Sequence, residues 1–171
     1  LDVMMYRSGA FAFVLALPLA LASQAAASGL PPVKTTSDNA VPACVTPGRL
    51  MAFIRTRNEK LDARFEKIAV DYMRHGEKLA LRWDIAFFQM AIETGYLTFD
   101  RETGRRGDVR PKQNNFAGMG ATGNGEVGES FADVSTGVLA HLQHVLLYAG
   151  ERVDRPVAER TRKVQKWGIL K

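Results

Sequence analysis

The sequence predicts a single, mainly α-helical domain with a small β-hairpin or irregular lobe, and three observations support this. After residue 46, apolar residues recur at helical spacing, and glycines or capping side chains bound most of these stretches. Residues 97–112 break that pattern with strand-like and turn-like composition. The 171 residues are 46% hydrophobic and 24% charged, which is typical of one globular domain.

The first 27 residues have the pattern of a secretory signal peptide. Arg7 gives a positive start, residues 10–22 form an uncharged apolar run, and Ala25 and Ala27 match the small residues of a cleavage site. A helix over that run would rise about 20 Å, too short for a hydrocarbon core of ~30 Å. We therefore predict cleavage after Ala27 and a periplasmic, secreted or cell-wall location without a stable membrane anchor. A buried N-terminal helix is the alternative.

The chain carries 23 Lys and Arg against 18 Asp and Glu, which gives a formal net charge of +5. This excess favours an anionic partner, and nucleic acid, an anionic membrane surface and an acidic polymer are all compatible with it. Nucleic acid is disfavoured, because the basic residues are not interleaved with aromatic ones and because export is predicted. The single cysteine, Cys44, excludes a domain stabilised by internal disulfides.

The helical part of the chain follows a linker. Residues 28–46 contain three prolines and little apolar periodicity, so they predict a flexible linker before a domain at 47–171. Thr46 and Pro47 predict the N-cap and first position of the opening helix.

Two more helices are expected in the first half of the domain. Apolar spacing over residues 61–73 predicts an amphipathic helix that ends near Gly76. The next helix spans residues 85–92, with Asp84 as its N-cap and Gly95 as its end.

The second half of the domain begins with the irregular lobe. Residues 97–99 predict a strand, residues 100–112 a hairpin or polar lobe, and the Asn- and Gly-rich residues 113–130 a loop. Two final helices are predicted at 135–148, with Ser135 or Asp133 as N-cap and Gly150 as its end, and at 156–167.

Glu93 is the strongest candidate for chemistry. The helix before it is apolar on nearly every side except at Gln89, which predicts a buried helix. Burial, the negative pole of the helix dipole and the lack of neighbouring cations would all favour a neutral carboxyl group. A carboxyl group that keeps its proton near neutral pH can protonate a glycosidic oxygen. The alternative is that Glu93 reaches solvent or pairs with an arginine of residues 101–110.

Two strings in this region resemble a known family. QMAIETGYLTF, followed about twenty residues later by QNNFAGMGA, is similar to the glucosaminidase family of peptidoglycan hydrolases, the mannosyl-glycoprotein endo-β-N-acetylglucosaminidase-like domain. SFADVSTGVLAHLQHVLLYA and PVAERT resemble later segments of that family, so the likeness covers about 47–171. The matching positions are Gln89, Ala91, Glu93, Gly95, Tyr96, Asn114, Asn115, Gly118 and Met119, whereas Leu97, Ala117 and Gly120 depart from the family pattern.

The resemblance implies a lysozyme-like helical fold without cofactor or metal. It also implies hydrolysis of β-1,4 bonds after N-acetylglucosamine in peptidoglycan glycan strands, with Glu93 as the proton donor. A lytic transglycosylase of the same fold and a non-catalytic peptidoglycan-binding or assembly module are the alternatives. The sequence does not define the oligomeric state.

The second catalytic carboxylate has several candidates. An inverting mechanism requires a base about 6.5–9.5 Å from the acid, and a retaining one requires a nucleophile about 5–5.5 Å away. A substrate-assisted route would use the sugar's own acetamido oxygen and need no enzyme nucleophile. Glu126 and Glu129 lie in the loop where the family often places a second acid, and Glu129 is preferred because Phe131 and the next helix could fix it. The alternatives are Asp100, Glu102 and Asp108, and each of the five also fits an ordinary solvated acid.

Other residues could bind substrate. Asn114 and Asn115 could donate hydrogen bonds to an N-acetyl group or a hydroxyl, or could organise the loop. Tyr96 and Phe116 could stack on a sugar, or pack in the core. The pair His141 and His144 lacks a third ligand at suitable spacing, so core or surface histidines are favoured over a metal site, and Arg101, Arg105, Arg106 and Arg110 form a basic lobe that could attract carboxylates.

Overall fold

In the residues that it describes, the computed structural model contains five α-helices and two short 3-10 helices, which confirms the mainly α-helical class. It describes residues 32–100, 107–123 and 126–168. The helices are α1 (Pro47–Arg57), α2 (Ile68–Lys78), α3 (Trp83–Glu93), α4 (Val134–Tyr148) and α5 (Glu159–Trp167), and the 3-10 helices span Ala63–Phe65 and Pro111–Gln113. Within these described ranges the chain forms no extended strand, and none of the helices is long and apolar enough to cross a membrane.

Helix α2 occupies the centre of the domain and contacts α1, α3 and α4, whereas α5 packs on α4. Its buried side chains include Ile68 and Tyr72, which meet Phe87 and Met90 of α3 in one hydrophobic core. Tyr72 and Phe87 pack edge to face with ring centroids 5.5 Å apart. Burial of these side chains removes apolar surface from water and is the main force that holds the helices together.

Most predicted helix ends are confirmed because they depend on local chemistry. The Thr46 side chain accepts a hydrogen bond from the Arg49 amide at 3.3 Å, and Asp133 caps α4 by accepting from the Thr136 amide at 2.7 Å. Helix α3 ends at Glu93, and Gly95 follows with a φ of 55° that favours glycine. The last helix begins at Glu159 rather than Pro156.

The predicted helix over residues 61–73 is divided in the structure, and Gly76 is not its end. A 3-10 turn at Ala63–Phe65 precedes α2, which continues through Gly76 to Lys78. A Cβ at Gly76 would overlap the side chain of Trp83, so glycine permits α2 and the start of α3 to lie close together. The sequence pattern did not reveal this requirement, because it comes from a tertiary contact.

Asp84 is another residue whose predicted role is wrong. It is not the N-cap of α3, since that position belongs to Arg82. The Arg82 guanidinium instead donates two hydrogen bonds to the Asp84 carboxylate, from Nε to Oδ1 at 2.8 Å and from Nη2 to Oδ2 at 2.7 Å.

The segment before α1 also differs from its prediction. Residues 32–46 pack on the helices rather than forming a flexible linker: Lys34 and Leu81 make an antiparallel bridge, and the Arg82 amide donates to the Val33 carbonyl at 2.7 Å. Val41 packs against the core from the same segment. The predicted signal peptide and residues 28–31 lie outside the described residues.

The predicted strand at residues 97–99 is a series of turns. Tyr96, Leu97 and Phe99 have φ values of 59°, 66° and 60°, which are incompatible with a strand. The Leu97 and Phe99 side chains nevertheless reach the core, so their apolar character reflects burial in a turn. Part of the predicted hairpin, residues 101–106, lies outside the described residues.

A buried polar pair joins α2 to α4. The His141 Nδ1 atom lies 2.6 Å from the Tyr72 hydroxyl, and Nε2 lies 3.4 Å from the Gln89 side-chain oxygen. Because an amide oxygen only accepts, Nε2 carries the hydrogen and Nδ1 accepts from Tyr72. Burial raises the pKa of Tyr72 well above its usual value and, with a smaller contribution from His144, lowers the pKa of His141 to about 3.

The structure predicts acid destabilisation through His141. An unfolded histidine binds a proton near pH 6.5, whereas folded His141 stays neutral down to about pH 3, so stability is present above pH 6.5 and is lost between these values. The expected loss from this residue is about 1.4 kcal/mol per pH unit, or about 2 kcal/mol between pH 6.5 and pH 5. Urea unfolding at pH 7 and pH 5 should show this component in the wild type but not in His141→Gln. A His141→Gln protein with the wild-type pH dependence would contradict the assignment.

Gly137 provides a test of how α4 supports the loop at residues 113–119. A Cβ at this position would overlap the Asn114 carbonyl oxygen, so Gly137→Ala should lower the free energy of unfolding by about 2 kcal/mol. Gly48→Ala is the matched control, because Gly48 is also helical and a Cβ there has no neighbour within 4 Å. The control should leave stability unchanged or raise it by about 0.5 kcal/mol. Equal urea midpoints for the two variants would rule out the close approach.

Candidate functional site

Glu93 occupies the predicted position at the end of α3, but its predicted burial is wrong. The side chain is exposed, as is that of Gln89 one turn earlier. Ile92 is 75% exposed and Phe88 41% exposed, so one face of α3 lies in solvent although it contains large apolar residues. Helix α3 packs mainly against α2 and α4, and on its other side the Phe88 ring contacts Phe53 of α1 at a centroid distance of 5.6 Å. Gln89 and Glu93 are polar and four positions apart, so they lie on the same side of the helix. This spacing is the feature of the sequence that indicates an exposed face.

A tight turn after Glu93 fixes the direction of the chain. The Tyr96 amide donates to the Ala91 carbonyl at 2.6 Å, and the Phe99 amide donates to the Thr94 carbonyl at 2.7 Å. The Thr94 hydroxyl donates to the Met90 carbonyl at 2.8 Å and accepts from the Leu97 amide at 2.9 Å. These bonds satisfy the end of α3 and leave Tyr96 half-buried beside Glu93.

Glu93 lines an open cavity of about 1010 Å³. One wall is formed by the end of α3 and the turn after it, and the opposite wall by residues 107–109 and the loop at 117–121. The residues that line it are Ile92, Glu93, Gly95, Tyr96, Thr98, Phe99, Asp100, Gly107, Asp108, Val109, Ala117, Gly118 and Ala121. Three carboxylates therefore share this cavity with one tyrosine ring and a mostly small, uncharged facing wall.

Asp100 and Asp108 are the predicted acids that the structure brings to Glu93. Both line the cavity, and both are exposed. Glu102, the other acid predicted in this lobe, lies outside the described residues. Glu93, Asp100 and Asp108 are therefore carboxyl groups of one cavity, and carboxyl groups can exchange protons with a bound molecule.

Glu129, the preferred second acid in the sequence analysis, does not line this cavity. Its Oε2 accepts from the Glu159 amide at 2.7 Å, and its Oε1 accepts from the Arg160 amide at 2.6 Å. The carboxylate thus satisfies two free amides at the N-terminus of α5, where a negative charge also interacts favourably with the helix dipole. Glu126 is exposed outside the cavity and accepts a short hydrogen bond from the Thr122 hydroxyl.

The two predicted asparagines organise the loop and are buried away from the cavity. Asn115 Nδ2 donates to the Met119 carbonyl at 2.8 Å and to the Glu129 carbonyl at 3.0 Å, while its Oδ1 accepts from the Met119 amide at 3.0 Å. Asn114 has a φ of 51°, and its Nδ2 donates to the Phe131 carbonyl at 3.0 Å. The structure therefore supports the alternative in which the two asparagines organise the loop.

Of the two predicted stacking aromatics, only Tyr96 reaches the cavity. Its ring packs edge to face on Phe53 at 5.9 Å. Phe116 is fully buried and contacts Phe65 and Phe99, with ring centroids 5.9 and 6.5 Å away. Its predicted stacking role is wrong because the loop turns this ring inward.

The two histidines of α4 have separate hydrogen-bond partners. His141 is bonded to Tyr72 and Gln89, whereas His144 Nδ1 lies 3.0 Å from the Thr161 hydroxyl. Burial is the main cause that lowers the pKa of His144. Among the residues that the structure describes, no group of three or more His, Cys, Asp and Glu side chains could hold a metal ion.

Glu129 offers a direct test of its structural role. Glu129→Gln removes the charge and one acceptor from the start of α5, so the free energy of unfolding should fall by about 1 kcal/mol. Amide exchange at Glu159 and Arg160 should accelerate in the same variant. Glu126→Gln, an equal change in the same loop, should alter neither quantity. Unchanged exchange at both amides in Glu129→Gln would exclude the capping role.

Comparisons with known proteins identify one relative of unassigned function. An uncharacterized protein of Borreliella burgdorferi is 35% identical over 96 residues, which are 56% of this chain and 44% of that protein. The chain thus matches less than half of the relative's length. No family model and no solved structure matches the chain.

Proposed function

We propose that this chain belongs to the glucosaminidase-like peptidoglycan hydrolases, with a lysozyme-like fold, and cleaves β-1,4 bonds after N-acetylglucosamine in glycan strands. The observation that carries the proposal is the cavity that Glu93, Asp100, Asp108 and Tyr96 line together. Its open form suits a polymer that must enter from the side. The substrate would be reached after export to the periplasm or cell wall.

Glu93 is the general acid in this proposal. It ends a helix whose position is fixed by the bonds of the following turn, so the carboxyl group sits at a defined place on the wall. Hydrolysis requires this group to deliver a proton to the glycosidic oxygen as the bond breaks. Asp100 or Asp108 would direct a water molecule or stabilise the positive charge on the sugar; alternatively, the acetamido oxygen of the substrate would do so.

The substrate itself must create the environment that protonates Glu93. Because the side chain is exposed in the free protein, a sugar lying across Ile92 and Tyr96 would displace its water. Removal of water disfavours the ionised form of a carboxyl group. Substrate binding would thus replace the burial that the sequence suggested.

The net charge of the chain agrees with this substrate. A protein of charge +5 is attracted to an anionic polymer, and peptidoglycan carries carboxylates on its lactyl groups and peptides.

The exposure of Glu93 favours a second candidate function, a non-catalytic module that binds peptidoglycan. In such a module the cavity would hold the glycan without proton transfer, and Glu93 would act only as a hydrogen-bond acceptor.

A digest of purified peptidoglycan tests these functions. The wild type should release soluble fragments with reducing N-acetylglucosamine ends, and Glu93→Gln should reduce the rate at least about 100-fold because the proton donor is lost. Glu77→Gln, on the exposed side of α2, is the matched control and should cleave normally. Mass spectrometry identifies the products.

Three other outcomes of the digest would contradict the proposed mechanism. Fragments that end in 1,6-anhydro-N-acetylmuramic acid would indicate a lytic transglycosylase. Binding to insoluble peptidoglycan without release of sugar would indicate the non-catalytic module, and full activity of Glu93→Gln would exclude Glu93 as the acid.

A further inference from the structure

A second cavity of about 600 Å³ adjoins the first. Thr98 and Asp100 line both cavities, so a molecule bound beside Glu93 can extend past these two residues into the second one. The remaining wall comes from the end of α1 and the segment up to Asp62, and the buried side chains of Phe65 and Leu97 also contribute to it.

The end of α1 is attached to the turn that carries Tyr96. Asn58 Nδ2 donates to the Tyr96 carbonyl at 3.0 Å, and the Arg57 guanidinium lies 5.7 Å from the centroid of the Tyr96 ring. Tyr96 lines the first cavity and Arg57 the second. The two cavities are therefore parts of one rigidly connected surface.

Two cations of the second cavity have no acidic partner. In the described part of the chain, Arg57 and Lys60 form no ion pair, although both are exposed on the cavity wall. The neighbouring basic residues behave differently, since Arg55 pairs with Glu66 and Arg64 pairs with Asp62 at 3.1 Å. Arg57 and Lys60 are thus available for an anionic ligand.

Two acids of the same cavity, Glu59 and Asp100, also form no ion pair within the described residues. Glu59 lies between Arg57 and Lys60 in sequence, is exposed, and forms no ion pair within the described ranges. A cavity with two available cations and two available anions suits a ligand that carries both carboxylates and an amino group. A neutral sugar would leave these charges unused.

We propose that the second cavity binds the peptide branch of the glycan strand, a short peptide with several carboxylates and one amino group. The inference rests on the proposed function, because it places the glycan beside Glu93 and its branch beside Arg57 and Lys60. Recognition of the branch would make the protein select peptide-bearing strands over bare ones.

Binding of the free branch tests the inference without turnover. The full chain carrying Glu93→Gln would be titrated with a synthetic N-acetyl-alanyl-γ-glutamyl-diaminopimelate tripeptide, whose blocked N-terminus leaves one amino group, and followed by amide NMR. Shifts are expected at residues 57–62 and at Thr98. Arg57→Gln and Lys60→Gln should each raise the dissociation constant about three- to tenfold. Lys78→Gln, an equal change on an exposed part of α2, should leave it unchanged.

The outcomes separate this inference from the proposed function. The inference is overturned if millimolar peptide shifts no amide signal at residues 57–62. It is also overturned if Lys60→Gln and Lys78→Gln change the dissociation constant of the peptide equally. Peptide binding with the expected variant effects supports the inference even where the wild type cleaves no peptidoglycan. Cleavage of peptidoglycan combined with no peptide binding supports the proposed function alone.

Discussion

The contact among Phe65, Phe99 and Phe116 determines where the walls of the principal cavity lie. The three rings come from the 3-10 turn before α2, the turn after α3 and the loop after residue 113, and their centroids are 5.8 to 6.5 Å apart. None of these segments has the hydrogen-bond ladder of a long helix, so burial of the rings is what fixes them to one another. Phe99 and Asp100 of the turn line the cavity, and so does Ala117, which follows Phe116.

Polar side chains complete what the aromatic contact begins. Asn115 is fully buried and bonds four backbone groups of the loop, and Glu129 joins the next part of this loop to α5. An unsatisfied buried backbone group would cost about 1–3 kcal/mol, so these bonds select one loop conformation among many. Residues that resembled substrate ligands in the sequence thus serve to hold the cavity wall in place.

The helix ends that depend on local capping residues could be predicted from sequence, whereas those at Gly76 and Asp84 and the exposure of helix faces could not. Thr46, Asp133 and Gly95 act on their own neighbours in the chain, so their chemistry is visible locally. The burial of Glu93 depends on which elements pack around α3, and that is decided by distant residues. The need for glycine at position 76 could not be predicted either, because its close contact with Trp83 is a tertiary contact. The sequence identified Glu93, Tyr96, Asp100 and Asp108 as candidates, but only the structure groups them.

An exposed Glu93 changes the order of events that catalysis would require. A buried acid is shielded from water before substrate arrives, whereas an exposed one would be shielded only when a sugar enters the cavity. The energy for this step must come from contacts elsewhere on the substrate, as remote binding energy does in general. The second cavity, with Arg57 and Lys60 beyond Tyr96, is positioned to supply such contacts. Binding of the peptide branch and proton transfer at the glycosidic bond would then be parts of one process, in which the charged end of the ligand holds the sugar against Glu93.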